Sequence, residues 1–415
     1  MIKKRAVITG LGVVSPVGLG KEAFWDSLIN GKSGIDRITR FDPTEYKVQI
    51  AGEVKDFNPD DYIDKKESKR MDRYTQFALA ASDMAISDAG LKLDEEDLTR
   101  IGVFVGAGIG GMETLHDTYQ KLFSAGPSRI SPFFIPMMIP NMAAGHISIR
   151  HGLKGPSACI VTACATGTNN IGEALRAIQR GDADVMVAGG SEAAVSGAAI
   201  AGFTSMKALC STHNDDPTKA SRPFDATRNG FVMGEGAGII IIEELEHALN
   251  RNAHIYAELA GYGSNSDAYH VTSPGPEGEM QSKCMLLAIE DAGLKPSDID
   301  YINAHGTSTG LNDKGETRAI KKVWQDEAKN VSVSSIKSMI GHLLGAAGGV
   351  ECIATALTIE NDLMPPTINY ENVAEEMDLD YVPNKARQKT VRAAISNNFG
   401  FGGHNACILL KKFKL

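Results

Sequence analysis

Residues 85–92 read Ala85-Ile-Ser-Asp-Ala-Gly-Leu-Lys92, and residues 288–295 read Ala288-Ile-Glu-Asp-Ala-Gly-Leu-Lys295. Each copy closes an amphipathic pattern, and Gly90 and Gly293 stand where a helix ends on a left-handed residue. A short polar connection then leads into a β-rich run, Ile101-Gly-Val-Phe-Val105 in one case and Ile299-Asp-Tyr-Ile-Asn303 in the other. Both runs open into small residues, Gly106-Ala-Gly-Ile-Gly-Gly111 and Ala304-His-Gly-Thr-Ser-Thr-Gly310. A second echo links Phe231-Val-Met-Gly-Glu-Gly-Ala-Gly-Ile-Ile-Ile-Ile242 to Phe399-Gly-Phe-Gly-Gly-His-Asn-Ala-Cys-Ile-Leu-Leu410, each an aromatic residue, a glycine turn and a buried strand. Matching order predicts an α/β fold of two pseudo-symmetric halves. The division is expected near residue 250, after the polar segment Glu243–Asn252, giving halves 1–250 and 251–415. Paired α/β lobes hold their ligands in the crevice between them, at the loops that follow the strands.

The chain of 415 residues is long enough for two such lobes. Its hydrophobic share of 43% and charged share of 22% are those of an ordinary globular protein. A net charge of -9 argues against nucleic acid as the partner. No apolar run reaches the length of a membrane span. The stretch Ala6–Gly18 behind Lys3-Lys4-Arg5 imitates a secretory signal, but Gly10, Gly12 and Pro16 interrupt it and no cleavage site follows. It reads as a strand and a turn. The six cysteines, Cys159, Cys164, Cys210, Cys284, Cys352 and Cys407, lie at loose spacing, which fits a reducing, cytoplasmic setting better than a disulfide framework.

Cys164 has the most telling surroundings. In Ile171, Ala174, Leu175 and Ile178 the apolar residues recur at helical spacing, so a helix starts just after the cysteine and stops at Gly181. A thiol at a helix N-terminus feels the positive end of the dipole, which favours thiolate. Ala163, Ala165 and Gly167 leave room for a substrate. The other five cysteines read as small buried hydrophobes. His305 follows a predicted strand, and His342 sits in the glycine-flanked turn of Lys337-Ser-Met-Ile-Gly-His-Leu-Leu-Gly345. A cysteine with histidines brought near it by the fold is the arrangement thioester chemistry uses.

Thr162-Ala-Cys-Ala-Thr-Gly167, Asn303-Ala-His-Gly-Thr-Ser-Thr309, Lys337-Ser-Met-Ile-Gly-His342 and Phe399-Gly-Phe-Gly-Gly-His-Asn405 resemble, in order, the motifs of the β-ketoacyl-acyl-carrier-protein synthases. The resemblance covers essentially the whole chain and is closest to the elongating condensing enzymes of dissociated bacterial fatty-acid synthesis. It implies a thiolase-like fold layered α-β-α-β-α, a homodimer, and decarboxylative condensation of an acyl group on Cys164 with malonyl carried by acyl carrier protein. The substrates, acyl-ACP and malonyl-ACP, bring their own phosphopantetheine, so no cofactor and no metal centre is expected, although a structural monovalent cation is compatible with the family. Neither nucleic acid nor membrane is an expected partner.

The same resemblance assigns roles. His305 and His342 stabilise the enolate formed by decarboxylation, and the backbone N–H groups of Cys164 and Phe401 hold the tetrahedral oxyanion. Lys337 has an electrostatic, organising role near the histidines, and Glu351 belongs to the same network. Thr307 and Thr309 hydrogen-bond the phosphopantetheine arm. Phe401, with Phe399 in the same loop, gates the acyl chain, and Ile109 limits its length. Lys65, Lys66, Lys69 and Arg70, with Arg73, form a basic docking face for the acidic carrier at the start of an early helix. The sequence departs from the family at Ile340, where threonine is common, and at Gly310-Leu311, where a proline is common.

Four other readings compete. Gly106–Gly111 fits a dinucleotide-binding glycine pattern, but no second strand ending in an acidic residue follows. Zinc on Cys164, His305 and His342 lacks ligand spacing. A non-catalytic chain-length factor would lack the cysteine, which is present. A thiolase would use a second cysteine as acid and base, and Cys407 reads instead as buried strand.

Overall fold

A computed structural model describes residues 3–414. Ten strands of one twisted sheet organise it. In the first half these are β1 (Ala6–Ser15), β2 (Ile101–Gly106), β3 (Ser157–Ala158), β4 (Val185–Glu192) and β5 (Gly236–Glu244). In the second they are β6 (Ala257–Ser266), β7 (Tyr301–Asn303), β8 (Ser332–Ser334), β9 (Ala393–Gly400) and β10 (His404–Lys411).

Their order across the sheet is β8-β7-β9-β10-β6-β1-β5-β4-β2-β3. Read outward from the centre, β1-β5-β4-β2-β3 and β6-β10-β9-β7-β8 are the same arrangement. In each set the first three strands pair antiparallel and the last three parallel. The sets meet where Ala6–Ile8 pairs with Ala257–Leu259. The runs with matching sequence thus occupy matching positions, β2 with β7 and β5 with β10.

Period-two alternation sends the side chains of each strand to different layers. Ile240 and Ile242 of β5, with Ala406, Ile408 and Leu410 of β10, enter a central core. Helices α2 (Thr166–Arg180) and α5 (Ala347–Asn361) fill that core. Ile239 and Ile241 turn outward to helix α1 (Arg73–Asp88). Cys407 and Leu409 turn to helices α3 (Glu279–Asp291) and α4 (Gly310–Trp324) on the opposite outer side. The five layers are therefore α-β-α-β-α.

The repeated octapeptides end α1 and α3. Gly90 and Gly293 adopt φ of 59° and 68°, and the following Leu91 and Leu294 donate back to Ile86 and Ile289. A further repeat was not read from the sequence. Gly10-Leu11-Gly12 of β1 and Gly261-Tyr262-Gly263 of β6 each follow a bulge in pairing. The amide of Leu11 donates to Asp88 at 2.9 Å, and that of Tyr262 to Asp291 at 3.0 Å. Side chains at Gly12 and Gly263 would strike carbonyls of α1 and α3, at Ala81 and Cys284. Glycine at these positions sets how closely helix and strand approach.

Candidate active site

The reactive side chains of the sequence motifs lie on loops that follow strands of both halves, and these loops meet at one cavity. Cys164 comes after β3, His305 after β7, His342 after β8, and Phe401 after β9. All four line one cavity of about 410 Å³.

Cys164 sits in a tight turn just before α2. Ala163 adopts a φ of 51°, a strained value for a residue with a side chain, and α2 ends on Gly181 at 79° as its sequence predicts. The expected thiolate is not what the resting site favours. Burial pushes the Cys164 thiol up to about 12, against the pull of the Lys337 ammonium. Desolvation outweighs the helix end here. The amides of Phe401 and of Cys164 itself both act on the sulfur. Gly400 lies against the Cys164 amide so closely that a side chain there would come within 3.1 Å of the nitrogen.

The two histidine rings stand 5.2 Å apart, centroid to centroid, at 86°. Leu344 donates its amide to Nδ1 of His342 at 3.3 Å. Nδ1 of His305 faces two donors, Lys337 Nζ and Asn398 Nδ2, each at 3.5 Å. With Nδ1 facing donors in both rings, the proton of each neutral imidazole belongs on Nε2. Burial first, and the Lys337 charge second, hold both histidines well below the usual histidine range.

Lys337 is buried in an ion pair with Glu351, whose other oxygen accepts from Asn398 Nδ2 at 2.7 Å. Asn398 also accepts from Thr168 on α2. Glu316 of α4 accepts the amides of His305 and Gly306, both at 2.8 Å, and so fixes the strand-to-helix turn that carries His305. Asn398, Thr168 and Glu316 were not anticipated. Asn398 lies beside the Phe399 motif, which is the one hint the sequence offers for it. Two buried amide oxygens on the neighbouring strands β7 and β9, Asn303 Oδ1 and Asn397 Oδ1, have no hydrogen-bond partner among the described residues. Unpartnered buried oxygens of this kind suit the monovalent cation that the family allows.

Thr307 and Thr309 share a hydroxyl contact of 2.9 Å at the cavity wall. Phe401 faces Phe203 across 6.2 Å, and Phe399 packs edge-on against His305 at 5.7 Å. Ile109 lines the cavity from the β2 turn. That turn is closed to a dinucleotide phosphate, because the Glu192 carboxylate already takes the amides of Gly108, Ile109 and Gly110. Ile340 is core, and Leu311 is exposed at the cavity rim. Cys407 is enclosed in β10 outside the cavity.

Lys65, Lys66, Lys69 and Arg70 are exposed, on the short helix Lys65–Ser68 and the turn after it rather than at the start of one helix. Arg70 lies over the Phe133 ring at 4.7 Å. Arg73 departs from the group: it turns inward to the buried carboxylate of Glu235 at 3.0 Å and to the Val54 carbonyl. A cation held that way is not a free docking charge. Among the described residues no helix is long and apolar enough to cross a membrane.

Residues 3–248 match the family model described as Beta-ketoacyl synthase, N-terminal domain, and residues 256–371 match Beta-ketoacyl synthase, C-terminal domain. A 3-oxoacyl-[acyl-carrier-protein] synthase 2 of Staphylococcus aureus (strain COL) is 53% identical over 411 residues, with 99% of each chain covered. The enzyme of the same name from Synechocystis sp. is 53% identical over 412 residues, again with 99% of each covered. Among solved structures, a type II polyketide ketosynthase in complex with its acyl-carrier protein superposes with a TM-score of 0.92 at 35% identity, covering 99% of this chain and 100% of that one. The ishigamide ketosynthase/chain length factor superposes at 0.93 with 36% identity and the same coverage. With the family's fold, motifs and cavity all in place over its full length, the chain belongs to the β-ketoacyl synthase family.

Proposed function

We propose that this protein is a 3-oxoacyl-[acyl-carrier-protein] synthase, an acyltransferase that elongates fatty acyl chains by decarboxylative condensation with malonyl-ACP. The observation that carries the reading is two buried histidines, each with Nδ1 facing a donor, lining one cavity with a cysteine.

Cys164 attacks the thioester of acyl-ACP; its S–C bond forms, and the carrier thiol departs with the proton. Malonyl-ACP then enters along Thr307 and Thr309. Its C–CO2 bond breaks, and the electron pair moves onto the thioester as an enolate held by His305 and His342. Buried N–H donors aimed at a developing oxyanion are worth several kcal/mol in such a site, about 3 to 4 for one donor. The enolate carbon attacks the acyl carbonyl on Cys164, forming the new C–C bond. The amides of Cys164 and Phe401 receive the oxyanion; its collapse breaks the C–S bond and releases 3-oxoacyl-ACP, and the Cys164 thiolate takes a proton from solvent. No strong base is needed, since loss of CO2 makes the nucleophile. Lys337 holds His305 neutral and oriented, with Glu351 and Asn398 fixing the lysine. Asn303 and Asn397 would hold a monovalent cation, which supplies positive charge to the strands bearing His305 and Asn398.

Phe401 and Phe399 gate the acyl chain, Ile109 limits its length, and Lys65, Lys66, Lys69 and Arg70 receive the acidic carrier. We read residues 1–250 and 251–415 as the two halves, and the cytoplasm as the compartment. A homodimer is supported by exposed apolar side chains, Phe123 at 81% and Ile149 at 76%, and by the exposed edge strand β3. Identity of 53% to an enzyme named 3-oxoacyl-[acyl-carrier-protein] synthase 2, against 35% to a polyketide ketosynthase, favours fatty acids.

The test is a condensation assay with acyl-ACP and malonyl-ACP, following CO2 and 3-oxoacyl product. Wild type is expected to form both, and Cys164→Ala neither product nor acyl-enzyme. Full condensation by Cys164→Ala, or none by wild type at any chain length, would sink the reading.

A further inference from the structure

Glu192 is a buried carboxylate with no part in the steps above. It ends β4, and burial pushes its carboxyl up to about 7. All its donors are backbone amides. One oxygen accepts from Gly108 at 2.8 Å and Gly345 at 3.0 Å; the other accepts from Ile109 at 3.1 Å and Gly110 at 3.3 Å.

These amides come from separate parts of the cavity wall. Gly108–Gly110 is the turn that presents Ile109 to the acyl chain. Gly345 lies in the turn after His342, next to Leu344, whose amide fixes the ring at Nδ1. The two turns touch backbone to backbone: a side chain at Gly345 would occupy the place of the Gly108 amide. A side chain at Gly108 would meet Glu192 at 2.8 Å and the Ala163 carbonyl, beside Cys164, at 3.3 Å. The turns bearing Ile109 and His342 therefore close around one carboxylate, with the Cys164 turn packed against Gly108. Glu192 is the side chain that accepts amides from both the Ile109 turn and the His342 turn.

We infer that Glu192 is a positioning residue that ties the Ile109 turn to the His342 turn, so that acyl-chain length and enolate stabilisation are set together. The inference rests on the proposed condensing activity. A carboxylate accepts on both oxygens, whereas an amide presents a donor on one side. In Glu192→Gln one pair of amides faces a donor, and the Ile109 turn or its tie to Gly345 is released. With that wall loosened, long acyl chains gain relative to short ones.

The experiment compares full-length wild type and Glu192→Gln with hexanoyl-, decanoyl- and tetradecanoyl-ACP, measuring kcat and KM, CO2 release from malonyl-ACP and melting temperature. In a folded variant, the tetradecanoyl-to-hexanoyl ratio of kcat/KM is expected to rise about tenfold, and CO2 release to fall about tenfold, the effect of one lost charge-assisted hydrogen bond. An unchanged length ratio, or an equal fall at all lengths, would overturn the inference while leaving the condensing activity intact. A wild type inert at every length would overturn both. If Glu192→Gln does not fold, hydrogen exchange on wild type decides: protected amides at Gly108, Ile109, Gly110 and Gly345 are expected, and fast exchange there contradicts the tie.

Discussion

The Lys337 ammonium stands 3.5 Å from Nδ1 of His305, with both side chains buried. A positive charge beside a ring nitrogen forbids a second proton on it, so the lysine keeps His305 an N–H donor instead of an acid. The pair Lys337–Glu351 thus has a chemical use beyond stability. Lys337→Ala strands Glu351 as an unpaired buried charge and is expected to lower stability by about 3–5 kcal/mol. Lys337→Met with Glu351→Gln should lose less than the sum of the single variants, which urea unfolding of the four proteins measures.

Both histidines stay neutral far below the ordinary histidine range, through burial and the Lys337 charge. CO2 release should therefore show no inflection near about 6.5, where a free imidazole titrates. A pH profile from about 6 to 8 with a step of one proton at that value would place a solvated histidine in the reaction.

His247 is the opposite case. Hydrogen bonding to Glu243 at 2.6 Å, and to Glu96, raises it from 6.5 to about 9. A raised folded value means the stabilisation is complete below the unfolded value and is lost as pH climbs through about 9. The gap in melting temperature between wild type and His247→Gln is expected to be largest below about pH 6.5 and to close toward pH 9.

The duplicated contact between helix and strand is testable at two places. Gly12→Ala drives a methyl group into the Ala81 carbonyl, and Gly263→Ala into that of Cys284. Each is expected to cost about 1–3 kcal/mol, as overpacking does. Denaturant unfolding measures both, and two near-neutral outcomes would mean that neither half needs the close approach.

The sequence carried the duplication because Ala-Gly-Leu at the end of α1 and α3 is local: a helix stop writes itself into adjacent residues. Cys164, His305 and His342 were legible for the same reason, each being set in small residues beside a turn. Glu192, Glu316 and Asn398 were not, because each acts on amides or side chains from distant segments and a lone acidic or amide residue leaves no spacing to read. The strand repeat Gly10-Leu11-Gly12 and Gly261-Tyr262-Gly263 was hidden by its dissimilar neighbours. The helix end that favours a Cys164 thiolate is visible in sequence, whereas the burial that raises the thiol is not. Arg73 carries no local mark of its partner, Glu235, which lies far along the chain.

The division of labour between Cys164 and the histidines is tested most directly by intact-protein mass after incubation with acyl-ACP, run beside CO2 release from malonyl-ACP, for His342→Asn. This variant is expected still to gain the mass of one acyl group, mapped to Cys164, while CO2 release falls by a hundredfold or more, about 3 kcal/mol. A variant that releases CO2 at the wild-type rate but fails to take up the acyl group would contradict that division, and would move His342 from the enolate to the activation of the cysteine.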